Sequence, residues 1–371
     1  MKKIVLITIA ILSLLSVSAQ QKKKNMKNMA KEKKVYFMPI PFVMSNPTYG
    51  TSFGAMGAFM YKLNKEDLVS PMSKSSFMGM YGINKSYTWW INQEFYFNEN
   101  RTRVILNLGS SHIPVKYMYD DGDNMSYNEN IFFIRAKALQ RFANNFYAGL
   151  YYNYTPQDFL DYTNNTKDKN IMVDDITQST IGVMATYDSR DYIFYPTKGY
   201  WVTIYLSTTP KFLGSTDNFS ALNYSVIKYF PMADNDILAL RLYGVNKFGN
   251  VPYGALAMYG VSTVDLVQVD LRGYMRGKYR GKNQIDIQAE YRLNFSGKLK
   301  RFGLAANIGS GRIWDTGDLE EIYGGKNVWL PSFGGGLRFN LIPKKHMNLR
   351  LDYNYGIHGN HALYLGLYEA F

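Results

Sequence analysis

Between Asn283 and Phe295 the sequence alternates without a break. Ile285, Ile287, Ala289, Tyr291, Leu293 and Phe295 fall on one parity, and Asp286, Gln288, Glu290, Arg292 and Asn294 on the other. Side chains of a strand alternate between two faces, so this segment has one wholly apolar face and one polar, charged face. Such a strand needs two different solvents. Before it, from Asn246 to Lys282, no clear strand pattern is present, and connections that long are usually functional or disordered. That connection runs through Val269-Asp270-Leu271-Arg272-Gly273-Tyr274 and a Gly-, Lys- and Arg-rich segment to Gly281. It is expected to carry an arginine back onto the polar face of the strands that follow.

Composition narrows the solvents. The chain is rich in Tyr (32) and Phe (22), yet its mean hydropathy is −0.25. After the N-terminal stretch no apolar run reaches the ~18 residues of a membrane helix, so transmembrane helices are excluded. A lipid-facing β-barrel remains, because its strands interleave apolar residues with lumen-facing polar ones. The absence of Cys removes any lipid-anchored cysteine and any Cys-based metal site. The formal charge of +13 does not point to nucleic acid: outside one N-terminal cluster the basic residues are scattered, and an exported chain rarely meets nucleic acid.

Residues 1–19 read as a secretory signal peptide, with Lys2 and Lys3, an apolar core from Ile4 to Leu15, and a Val17-Ser18-Ala19 cleavage site. An uncleaved anchor helix is the alternative. Residues 20–35 are a lysine-rich flexible linker, either simply solvated or touching anionic lipid. The barrel is expected over 36–371. Strand-like segments fall near 36–44, 49–62, 75–84, 86–97, 101–112, 130–142, 144–155, 177–188, 199–208, 217–230, 235–246, 283–295, 300–314, 330–342, 346–356 and 361–371. Roughly sixteen strands is an even number within the bacterial range. Arg135, Lys137, Arg241, Glu290, Arg292, Arg350 and Asp352 share the polar parity; on a lipid face each would cost about 2–4 kcal/mol near the midplane. Links after even-numbered strands are often tight, and the long ones (113–129, 156–176, 246–282 and 315–329) follow odd-numbered strands. Short turns are periplasmic in such barrels and long loops extracellular. Both termini are then expected in the periplasm, and the 246–282 loop enters the lumen from outside.

A second motif is a compact charged turn. Tyr187-Asp188-Ser189-Arg190-Asp191 is followed by Phe194-Tyr195-Pro196-Thr197-Lys198-Gly199, with acids and base able to pair across its ends. Together with Leu271-Arg272-Gly273-Tyr274 it resembles the BamA/TamA family of outer-membrane barrels, also called the bacterial surface antigen family. Asn46-Pro47-Thr48-Tyr49-Gly50, Gly54, Gly309, Gly334-Gly335-Gly336-Leu337-Arg338-Phe339 and a final Phe371 add to the match. The resemblance implies a transmembrane antiparallel barrel in the bacterial outer membrane. It also implies that Arg272 is a loop-tip arginine contacting the lumen wall, with Gly273 permitting close approach and Tyr274 packing beside it. Glu290 matches one wall acid, while the second family acid falls at Asn307, which is a departure.

No POTRA modules accompany the resemblance in this sequence. That argues against a role as the main assembly machine; the function the resemblance implies is assisted insertion or translocation of proteins or lipids through a weak lateral seam. A passive pore gated by the Arg272 loop, or a structural subunit without transport, are the alternatives. Implied partners are outer-membrane lipid, a separate POTRA protein or client outer-membrane proteins, and a second copy of the chain. Glu369 shares parity with Leu365, Leu367 and Phe371, which weakens the final strand as an assembly signal.

Catalytic readings are thin. His112, His346, His358 and His361 show no ligand spacing, and no serine stands in a triad pattern. Asp120-Asp121-Gly122-Asp123-Asn124 lacks a full calcium-loop pattern and reads as an acidic turn. No enzyme activity, metal or cofactor is expected.

Overall fold

The computed structural model describes residues 35–46, 48–119, 122–166, 171–193, 195–233, 236–260, 271–323, 327–342 and 347–371. The expected signal peptide, nearly all of the lysine-rich linker, and Pro47, Asp120, Asp121, Phe194, Val269, Asp270 and His346 lie outside the described residues.

Sixteen antiparallel strands form one sheet that curls into a nearly closed barrel. They are β1 (Val35–Asn46), β2 (Gly50–Tyr61), β3 (Ser73–Gly82), β4 (Tyr87–Phe97), β5 (Thr102–Met118), β6 (Asn124–Ala143), β7 (Phe146–Asn165), β8 (Ile176–Asp188), β9 (Gly199–Thr209), β10 (Phe219–Pro231), β11 (Ile237–Gly249), β12 (Asn283–Asn294), β13 (Phe302–Trp314), β14 (Asn327–Ile342), β15 (Met347–Gly356) and β16 (His361–Leu367). Each strand pairs with its sequence neighbours, the meander that short connections favour. The tightest turns, 98–101 and 144–145, lie at one end together with the 62–72 and 189–198 links, and the 250–282 connection lies at the other; these are called here the turn end and the loop end.

The wall is inside-out by the standards of a soluble protein. Leu150, Ile308, Ile287 and Leu337 are 58–67% exposed on the outer face, whereas Glu290, Arg292, Arg350 and Asp352 are at most 2% exposed on the inner one. Burying charge without partners is costly, so this pattern persists only because the inner residues satisfy one another and the outer face meets hydrocarbon.

Three strands run much farther than the sequence suggested. The stretches read as loops at 113–129 and 156–176 are largely strand, extending β5, β6 and β7 at the loop end. There the polarity inverts: Ile113, Val115, Tyr117, Met125, Tyr127 and Phe159 face inward and are buried together with residues of the loop after β11. The interior is apolar along much of this stretch of the wall, where that loop packs against it, so a search for inward polar parity misses these segments.

The last strand is shorter than expected. It stops at Leu367, because Tyr368 adopts φ +67° and turns the chain inward. Ala370 and Phe371 then pack on Ile227, Tyr229 and Ala239 of β10 and β11, far around the barrel from β16. Glu369 therefore does not share a strand face with Leu365; it is buried among lumen arginines. The sheet order begins at β1 and ends at β16, and these two are not hydrogen-bonded neighbours among the described residues.

Candidate functional site

The loop between β11 and β12 repeats one dipeptide: Arg272-Gly273, Arg276-Gly277 and Arg280-Gly281, four residues apart. All three arginines are buried, and each is anchored differently.

Arg272 meets the wall of β12 to β15. Its Nη1 donates to Glu290 Oε2 at 2.6 Å and its Nε to Gln288 Oε1 at 3.3 Å, and Asp352 lies at 3.8 Å. Its carbonyl oxygen accepts from the Ser332 hydroxyl at 2.5 Å. Gly273 has φ +97°, and its amide donates to Tyr364 Oη at 2.8 Å. A Cβ here would fall 2.8 Å from the carbonyl carbon of Tyr355, so the close approach requires glycine. Tyr274 donates its hydroxyl to the Pro331 carbonyl and accepts from the Ile357 amide at 3.2 Å. Leu271 lies against Gly309 and Gly311, where added Cβ atoms would stand 3.0 and 2.9 Å from its methyls.

Asn307 pairs in register with Glu290, but its Oδ1 accepts from Asn354 Nδ2 at 2.6 Å. The second carboxylate near Arg272 is Asp352 instead. Asp352 also binds Arg338 and, at 2.8 Å, Arg350. Glu290 further accepts from Arg292 Nε at 2.7 Å, with Arg338 at 3.5 Å. Glu369, brought in by the inward turn, accepts from Arg338 Nε and Asn348 Nδ2, both at 2.7 Å. Arg292 Nη2 donates to the Phe371 carbonyl at 2.6 Å, and Arg241, Arg272 and Arg292 stand 5.6–6.0 Å from the Phe371 ring. Loop tip, wall and inturned tail thus share one charge network, and its hydrogen bonds are of the strong charge-assisted kind.

Arg276 and Arg280 reach the opposite wall, an anchorage sequence reasoning missed. Arg276 forms a two-point pair with Glu129 of β6, which also accepts from Gln157 at 3.1 Å. Its amide donates to Thr48 Oγ1 at 3.0 Å and its carbonyl accepts from Tyr117 Oη at 2.8 Å. Arg280 donates to Tyr127 Oη at 3.1 Å and stands 4.5 Å from the Tyr253 ring. The Arg-Gly repeat was visible in the sequence, but Glu129 was assigned to a loop and its inward parity was lost.

The turn motif is placed at the turn end rather than beside the loop tip. Arg190 grips Asp188 with Nε at 2.8 Å and Nη2 at 3.0 Å, and Arg103 of β5 adds a third bond at 2.7 Å. Arg190 also stacks 4.1 Å from the Trp201 ring. Asp191 closes the turn on itself, accepting from the Thr197 hydroxyl and the amides of Tyr192, Thr197 and Lys198. Burial disfavours its charged form, but these donors outweigh it and hold the carboxyl below the ordinary carboxylate range. Pro196 is buried within the turn, and Gly199 (φ +106°) opens β9. Among the described residues no cluster of His, Asp or Glu could hold a metal. His112 instead bonds Asn130, and His361 bonds the Gly359 carbonyl.

A sixteen-stranded barrel with an apolar outside, a charged inside and a lumen-docked loop is a bacterial outer-membrane β-barrel. Residues 78–355 match the Omp85 superfamily domain. The chain belongs to that superfamily. It is similar in fold to BamA from Haemophilus ducreyi lacking POTRA domains 1–3, with a TM-score of 0.56 and 13% identity over 96% of this chain and 77% of that one. CdiB from Escherichia coli superposes with a TM-score of 0.58 at 10% identity, over 91% of this chain. CdiB from Acinetobacter baumannii gives 0.55 and 12% over 90%. The chain spans 60–62% of the length of the two CdiB chains. No curated protein matches the sequence.

Proposed function

We propose that the barrel assists insertion or translocation of client proteins or lipids at the outer membrane, through the weak seam between β1 and β16. The observation that carries this reading is the mismatch at the seam. β1 has 12 residues and β16 only 7, and the chain leaves the wall at Tyr368. A strand edge left short presents backbone groups that an incoming strand can pair with. The docked loop holds the barrel's shape while the seam works, with Arg272 as a tether rather than a group that touches the client. In this reading the loop end faces outward, both termini are periplasmic after export on the leader, and a separate POTRA-bearing protein delivers clients.

The test adds an unfolded outer-membrane barrel to proteoliposomes with and without this protein, and with its Arg272→Ala and Glu290→Ala variants. Faster insertion that is lost in folded variants supports the proposal, and an unchanged rate refutes it. A pore gated by the same loop is the competing reading, favoured by the position of Arg272 inside the lumen. Steady conductance that rises in Arg272→Ala would select it.

A further inference from the structure

The outer face of the wall changes solvent where β5, β6 and β7 outrun their neighbours. Paired positions form rows across these strands. Ile91, Leu108 and Ile134 make one row, all of them exposed and aliphatic. The next outward row toward the loop end, Trp89, Ser110 and Phe132, is largely aromatic. Aromatic residues collect where a barrel's apolar band meets the head-group layer. The row after that is Tyr87, His112, Asn130 and Asp158, and none of its members is aliphatic. Hydrocarbon therefore ends near Trp89, and the rows beyond it stand in the head-group layer and above.

Past the Tyr87–His112 and Gln157–Ile176 pairs, residues 113–118 of β5 and 158–165 of β7 add roughly 20–26 Å of strand at about 3.3 Å per residue. The inner face of this extension packs on the docked loop through Tyr117, Tyr127 and Phe159. Its outward side chains are polar on β6, where Asn124, Asn128 and Asn130 take three of four alternate positions with Ser126. Asparagine is depleted in strands, and a choice against local propensity at exposed positions marks a use for the side chains. The amides are held in place. Asn128 Nδ2 donates to Asp161 Oδ2 at 2.7 Å, and Asn130 Oδ1 lies 2.6 Å from His112 Nδ1. Tyr87 stacks on His112 with ring centroids 5.7 Å apart. Amides and carboxylates match the adjacent hydroxyls of a sugar, and the exposed Tyr87 and Leu160 match its C–H face. Exposed Asp158 and Asp161 stand on the same face as Lys116, so a neutral, hydroxyl-rich body suits it better than a phosphate.

We propose that the outer face of β5 to β7, from the Tyr87 row upward, docks the saccharide head group of an outer-leaflet glycolipid. The face continues the lipid-facing wall and rises directly from the Trp89 row. A sugar carried on a bilayer lipid therefore lies against it while the acyl chains lie against Leu108 and Ile134. The docking rests on the loop end facing outward, as in the proposed function, and not on the insertion activity.

Binding to the folded full-length barrel in detergent is titrated by native mass spectrometry with rough-type lipopolysaccharide, lipid A and the lipid-free core oligosaccharide. Asn128→Val and Asn130→Val keep a strand-favouring residue at each position and are compared with Asn250→Val, which alters an exposed amide after β11. Lipopolysaccharide is expected to bind at least tenfold tighter than either fragment. Its affinity should fall about tenfold in Asn128→Val and Asn130→Val and stay unchanged in Asn250→Val. Lipid A binding as tightly overturns the saccharide assignment, and free oligosaccharide binding as tightly overturns the lipid-borne source. No binding, unchanged affinity in variants whose gel mobility shows them folded, or a dimer that only those variants dissolve overturns the site. Orientation has its own readout, because Lys116→Cys gives this cysteine-free chain a single thiol. It should react with an impermeant maleimide on intact cells. Labelling only after the outer membrane is opened overturns the outward orientation and the docking with it, whatever the insertion assay shows.

Discussion

Replacing Gly273 by alanine tests whether the loop tip is held by shape as well as by charge. The residue sits at φ +97°, a region that costs an L-residue about 1–2 kcal/mol. The new methyl would lie 2.8 Å from the Tyr355 carbonyl carbon, 2.9 Å from its oxygen and 3.0 Å from the Gly356 nitrogen. Carbon contacts settle near ~3.5–4.0 Å, so the loop must retreat by roughly an ångström from backbone that cannot yield. That retreat stretches the 2.8 Å bond from the Gly273 amide to Tyr364 and the 2.6 Å pair of Arg272 with Glu290. Weakening one ordinary and one charge-assisted bond costs about 2–4 kcal/mol if both are lost. The total is then about 3–6 kcal/mol, and at about 1.4 kcal/mol per decade the undocked loop becomes more than 100-fold more populated. Limited proteolysis in detergent, with cleavage mapped to the 250–282 connection, reads that population. Gly297→Ala is the control: Gly297 also has positive φ (+61°), but nothing lies within 4 Å of the added methyl. If Gly273→Ala and Gly297→Ala leave the loop equally protected, close approach to β15 is not what selects glycine at the tip.

Three further outcomes are expected. Glu129→Gln removes the carboxylate facing Arg276 while keeping its shape, and losing one member of a buried pair costs about 3–5 kcal/mol; the temperature at which the gel-mobility shift is lost should fall clearly, and an unchanged midpoint would show that the second wall does not hold the loop. Ile287→Lys places a charge on the outer face where Ile287 is 59% exposed; urea unfolding in vesicles should register about 2–4 kcal/mol, and a cost no larger than that of Ile287→Ser would place this face outside the hydrocarbon. Asp67, in the link after β2, has its carboxyl lowered to about 2 chiefly by the Ser70 hydroxyl and amide, with burial opposing and the Glu99 and Val69 amides assisting. Because its folded value is depressed below the ordinary 3.8, its stabilisation is complete above about pH 4 and is lost as pH falls toward 2. A carboxyl NMR titration with a midpoint near 3.8 would refute the Ser70 cap.

The wall was legible because a membrane barrel writes its two solvents into alternate residues. The β12 segment from Ile285 to Arg292 showed both faces and its lumen side at once, while the match of Arg272 to Glu290 came from the family resemblance. What stayed hidden depends on contacts across the barrel. Tyr117, Met125 and Phe159 are inward apolar residues whose partners come from a loop more than 90 residues away in sequence, so local parity left them in loops and shortened three strands. Glu129 disappeared with them. Asp352 was visible as an inward acid, but its role beside Arg272 depends on the register of β14 and β15. Glu369 was misread because alternation assumes that a strand continues, and only the φ of Tyr368 shows that it does not.

The inturned tail bears on how this protein can be handled. With Ala370 and Phe371 packed on Ile227, Tyr229 and Ala239 inside the wall, anything fused after Phe371 starts its path in the barrel interior. A short affinity handle placed there would compete with Arg292 and Arg338 for Glu369 and the Phe371 carbonyl. It would also be poorly reached by resin or antibody. Handles, fluorophores and crosslinkers are better sited in the connection between β9 and β10, where Phe212 is 81% exposed.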